Sequence, residues 1–188
     1  MSIDDSVQIC SVSHYNGLFY FDSSFRPIPL KQHFIGVRGK PGSPQSRKNL
    51  DRVTYQKVAK LVAQGHQVMV FVHTRKDTVK SALDLKDAAH AEGTIDDFTC
   101  QQHPQWALFR RQIGESRNRE MKELFDYGFG IHHAGMLRSD RNMMESLFEA
   151  RAIKVMTSLH MLVLITNPLG LMLHGHFGLG CKLTRSCW

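Results

Sequence analysis

Apolar positions change their spacing several times along this chain, and each change predicts an element. From Leu50 on, Tyr55, Val58, Leu61 and Val62 recur at helical spacing, and Gly65 closes the helix. The run QVMVFV, Gln67–Val72, is nearly continuous in apolar residues, as in a strand buried on both faces. Thr74, with Asp77 three residues on, reads as a helix N-cap, and Val79, Ala82, Leu83 and Ala89 carry that helix toward Gly93. DDFTCQQHPQW is loop-like, and Trp106, Phe109 and Ile113 predict a short helix. Ser116 is the expected cap of the next helix, which turns Met121, Leu124 and Phe125 inward and stops at Gly128. Phe129–His132 is a second strand; Ser139 starts a helix with Met144, Leu147 and Phe148 on one face; residues 152–156, AIKVM, form a third strand. Strands alternating with helices imply right-handed crossovers and a parallel sheet, an α/β fold.

The flanks are less regular. GLFYFD and HFIGV are strand-like patches, and the two prolines of RPIPL keep the joint between them extended. Residues 38–49, rich in Gly, Pro, Ser and basic side chains, read as a mobile loop. The expected division is an amino-terminal segment and basic loop over 1–49, a partial α/β domain over 50–155, and an aberrant tail over 156–188. The tail's apolar stretch is broken by Thr166, Asn167, Pro168 and Gly170, too short for a membrane span of roughly 20 residues. The start MSIDDSV lacks the basic and apolar regions of a secretory signal. Four scattered cysteines suit a reducing compartment.

Charge narrows the partner. Of 188 residues, 24 are Lys or Arg and 17 Asp or Glu, a net charge of +7 that favours a polyanion such as RNA or DNA. In a parallel sheet, ligands bind where strands give way to helices. Residues 73–77, HTRKD, and 132–140, HHAGMLRSD, lie there. Each offers a helix N-terminus, a hydroxyl (Thr74, Ser139) and an arginine (Arg75, Arg138), which are phosphate-binding groups. The alternative is that the hydroxyls only cap helices and the arginines are solvated. A metal between His132 and His133 is a poor reading, because neighbours on a strand point to opposite faces.

QVMVFVHTRKDT and GFGIHHAGMLRSDR resemble motifs in the second RecA-like lobe of superfamily 2 DExH-box helicases, and GLFYFDSSFRPIPL and SRNREMKELF match the same group. HPQW and MLRSDR tilt the resemblance toward the cointegrator-complex type over the large two-cassette spliceosomal type. It covers about residues 17–155. It implies an incomplete RecA-like sheet of the P-loop NTPase type. It also implies an RNA or DNA backbone held by His73, Thr74 and Arg75 and by His132, His133, Ala134 and Gly135, with Arg138 beside them. Gly135 would let the backbone approach closely. Location would be nucleus or cytoplasm.

In that family two lobes close over ATP and Mg²⁺. This sequence contains neither the GxxxxGK[ST] phosphate loop nor the DExH box, both features of the first lobe, nor the later arginine finger. No cofactor and no ATP turnover are therefore expected of this chain by itself. After IKV the family continues with Cys-Thr-Ala-Thr-Leu-Ala-Trp-Gly-Val-Asn-Leu-Pro-Ala-His-Ala. Residues 173–187, taken back to codons and read one base later, can spell that segment; the agreement stops at Trp188. The expectation is a coding frame that slips over about residues 156–170, leaving the sheet without its later strands and the apolar 159–165 loosely packed. His174, His176, Cys181 and Cys187 are zinc-ligand types, but the shifted frame accounts for them without selection for a metal.

Overall fold

The first helix begins before its apolar period does. Ser43 is extended at φ −70°, ψ 152°, and its hydroxyl accepts from the Ser46 amide. Pro44 takes the first helical position, where its missing N–H loses no hydrogen bond. Helix α1 therefore spans Pro44–Ala63, and the basic loop expected to reach Asn49 ends at Ser43. The computed structural model describes residues 30–159, 170–176 and 180–186. Strand β1, Leu30–Ile35, precedes α1; β2, Gln67–Val72, and α2, Arg75–Ala91, follow it. Then come α3 (Ile95–Phe98), α4 (Trp106–Glu115), α5 (Arg119–Asp126), β3 (Phe129–His132), α6 (Arg138–Glu149), β4 (Val155–Leu159), β5 (Gly170–His176) and β6 (Gly180–Ser186).

The sheet order is β1-β6-β5-β2-β4-β3. β5, β2, β4 and β3 run parallel, while β6 is antiparallel to both β5 and β1. The α/β class and parallel core are as expected. β5 and β6 add to the sheet beyond the three expected strands. β2 has a second edge of amides and carbonyls to satisfy, and Gln67 through Phe71 pair there with Gly170 through His174. GLFYFD and residues 160–165 lie outside the described residues, as does Cys187; for His174, His176 and Cys181 the side chains do.

Three boundaries move for local reasons. Ser116 ends α4, and Asn118 caps α5 by accepting from the Met121 amide at 3.0 Å. The Ser116 hydroxyl instead accepts from the Asn118 amide, tightening the turn. Ser139 lies inside α6, whose N-cap position is Leu137. The third strand starts at Val155, not residue 152, because the Ala152 amide is used in closing α6 onto the Leu147 carbonyl. It continues to Leu159 because Thr157 is buried and its hydroxyl donates to the Thr78 and Gly130 carbonyls. α3, read as loop, is a one-turn helix that sinks Phe98 onto Phe129, ring centroids 5.1 Å apart.

The core lies between the parallel strands and helices α1, α2, α5 and α6. Gln67, a polar residue at the start of β2, is buried because its side-chain amide donates to the Phe148 and Ile153 carbonyls, at 2.7 and 2.9 Å. Gly128 joins α5 to β3 at φ +79°, and its carbonyl accepts from both the Lys154 and Val155 amides. Among the described residues, no helix is long and apolar enough to cross a membrane.

Candidate nucleic-acid interface

Parallel strands bring their carboxyl ends to one edge, so the residues after β2 and after β3 emerge side by side with only β4 between them. Neighbouring strands are about 4.8 Å apart, leaving about 10 Å for a long side chain to span. Arg75 spans it. A Cβ built on Gly135 would lie 3.2 Å from Arg75 Nη1, 3.3 Å from Arg75 Cδ and 3.2 Å from His133 Nδ1. The guanidinium from the first loop thus lies over the glycine of the second, beside His133.

His133 is half-buried. Its pKa is held below the ordinary imidazole value, first by burial, then by the Arg75 charge and by His132. The Gly135 amide donates to Nδ1 at 3.2 Å, which fits a neutral ring with its proton on Nε2. The Met136 amide closes the turn onto the His133 carbonyl, and Met136 is buried beneath it. Ala134, Gly135 and Arg138 are exposed, as are His73, Thr74 and Arg75.

Two of the expected site residues have other partners. The Thr74 hydroxyl accepts from the Asp77 amide and donates to the Asp77 carboxylate at 2.7 Å, so it is committed to starting α2. His132 is 4% exposed; its Nε2 meets Glu145 at 2.9 Å and its Nδ1 meets the Ser158 hydroxyl at 3.4 Å. That ring ties together β3, α6 and β4. α6 lacks any side-chain cap, so its first amides stay open next to Arg138.

The chain matches no family model. It is 47% identical over 152 residues, 81% of its length, to the RQC trigger complex helicase SLH1 of Saccharomyces cerevisiae. It is 46% identical over 149 residues, 79% of its length, to the DExH-box ATP-dependent RNA helicase DExH14 of Arabidopsis thaliana. Against the human Activating signal cointegrator 1 complex subunit 3 it is 46% identical over 152 residues, again 81% of its length. The matched segment belongs to the DExH-box helicases. Its parallel sheet with flanking helices is an incomplete RecA-like fold. The chain spans 8%, 7% and 7% of the length of these three relatives.

Two further arrangements among the described residues of the helicase segment are buried. Ser158, His132 and Glu145 form a Ser–His–Glu chain, but Ser158 and His132 are buried and no substrate could reach the hydroxyl. Burial pushes the Cys100 thiol up to about 11, so it is no nucleophile at neutral pH. Among the described residues no group of His, Cys, Asp and Glu could hold a metal.

His132→Ala in the helicase segment should lower stability by about 1–3 kcal/mol, because it removes a buried ring together with its bonds to Glu145 and to Ser158, whose hydroxyl keeps only the Leu159 carbonyl. Urea unfolding of the two proteins measures this; equal midpoints would show that the ring ties nothing together.

Proposed function

We propose that this segment contributes to an ATP-dependent RNA helicase by holding the sugar–phosphate backbone along the carboxyl edge of its sheet. The observation that carries the reading is Arg75 lying against Gly135 and His133, so that groups from two strand ends form one surface. Arg75 and Arg138 supply charge, His133 an Nε2–H donor, and Ala134 and Gly135 close backbone approach. His73 flanks them. Thr74 and His132 position the loops rather than touch the strand. The Arabidopsis relative's name specifies RNA, which favours RNA over DNA.

The nucleotide step belongs, on this reading, to parts of the protein beyond this chain, with a first RecA-like lobe as partner. A cleft of about 690 Å³ opens beside Thr74 between α1 and α2. Asp51, Asp77, Asp84 and Glu92 stand among Arg47, Arg52, Lys76 and Lys80 along its walls. Asp51 is held above the ordinary carboxylate range, first by burial and then by the Asp84 charge. No step through ATP is assigned to these residues.

The test is binding of a labelled single-stranded RNA across pH 5 to 8. In the free protein burial and the Arg75 charge hold the His133 pKa below the ordinary imidazole value. A phosphate beside the ring favours its protonated form, so binding takes up a proton. Affinity should rise as pH falls, and level off below the free-state pKa. His133→Gln should remove that part of the pH dependence. Identical pH profiles for the two proteins would show that no phosphate sits at His133; absence of binding would overturn the function.

A further inference from the structure

Leu137 breaks two rules at once. It occupies the N-cap position of α6, where leucine offers the open amides nothing and where Ser, Thr, Asp or Asn is favoured. It is also 64% exposed, whereas Met136 just before it is 7% exposed. The buried Met136 pins the turn, and the extended backbone of Leu137, at φ −57° and ψ 146°, turns the next side chain outward. A single exposed leucine is ordinary on a protein surface. Its place is what needs a reason. Among the described residues the exposed large apolar side chains are Phe34, Leu108 and Leu137. Leu137 alone of these stands on the carboxyl edge, in the same turn as His133 and Gly135 and next to Arg138.

We propose that Leu137 is a nucleobase contact, an apolar face against which an unpaired base of the bound strand rests while Arg75 and Arg138 hold the phosphates. The inference rests on the RNA-binding reading and deepens it, since it distinguishes a strand with bases from a bare polyanion. The occupant is an unpaired base because the surrounding cations and open amides select a polyanion, and bases are the apolar surface such a chain carries. A leucine reads the flat face of any base, so the contact is tolerant of sequence, as stacking platforms are. The same choice explains the missing cap: a capping side chain is shorter, more polar and turned back onto the amides.

The test compares the full chain with Leu137→Ala and Leu137→Asn. The probes are a labelled twelve-residue oligouridylate and an abasic ribose–phosphate oligomer of equal length. The unaltered chain should bind the base-bearing strand about three- to tenfold more tightly than the abasic one, less than an aromatic platform would give. Both variants should lose that preference while keeping the salt slope of abasic binding. Leu137→Asn should also melt higher, because asparagine caps α6, so its loss of preference would not reflect unfolding. Equal binding of both probes by the unaltered chain, or a preference retained in the variants, would overturn the nucleobase contact alone. Failure of the unaltered chain to bind either probe would overturn it together with the RNA reading.

Discussion

Gly128→Ala should destabilise the protein by about 2–6 kcal/mol, from about 1–3 for a non-glycine residue in the left-handed region and about 1–3 for overpacking. Gly128 sits at φ +79°, and a Cβ there would fall 1.9 Å from the Phe98 carbonyl oxygen and 2.8 Å from its carbon. Both are backbone atoms, so no flexible side chain can yield. Moving Gly128 would also pull its carbonyl from the Lys154 and Val155 amides, which start β4 beside β3. Gly65→Ala is the control: Gly65 has φ +80°, but nothing lies within 4 Å of its added Cβ. Only the backbone contribution should appear there. Denaturant midpoints decide; equal losses at the two glycines would mean that Phe98 does not pack where it is described.

Arg75→Ala should weaken RNA binding roughly ten- to a hundredfold, corresponding to loss of a charged hydrogen bond of about 1.5–3 kcal/mol. The effect should be alike across sequences, and the slope of log affinity against log salt should flatten by about one phosphate's share. Arg75 should exceed Arg138 in effect, because it lies over Gly135 and beside His133, and its loss also alters the His133 environment. Arg138→Ala should flatten the salt slope with a smaller loss of affinity. Anisotropy titrations of both variants over a range of salt measure this. Unchanged affinity and slope in Arg75→Ala would make that side chain a spectator.

Much of the fold was legible because local rules and packing agree there. QVMVFV is buried on both faces, and the turns at Gly65, Gly93 and Gly128 have the positive φ that glycine accepts. The Thr74–Asp77 cap forms as spaced. The boundaries at Ser116 and Ser139 differ for one reason: a polar residue near a helix start is not always its cap. Ser116 and Ser139 have the right chemistry, but backbone conformation selects the capping position, and Asn118 and Leu137 occupy it. Leu137 was hidden for a related reason. It stands seven residues before Met144, so a helical period assigns it to the inward stripe; the period holds only inside the helix, and Leu137 precedes it.

The sequence by itself determined the elements, the basic character and the two strand-end loops, because periodicity, turn residues and charge are local properties. Tertiary structure decided what those loops become. Strand order leaves only β4 between β2 and β3, and that spacing lets Arg75 reach Gly135. It separated the two adjacent histidines by role, burying His132 among Glu145 and Ser158 and leaving His133 half-exposed beside Arg75. Residues 73–77 and 132–140 are far apart in the chain, and no local pattern encodes a contact made only once the crossovers have brought the strand ends together.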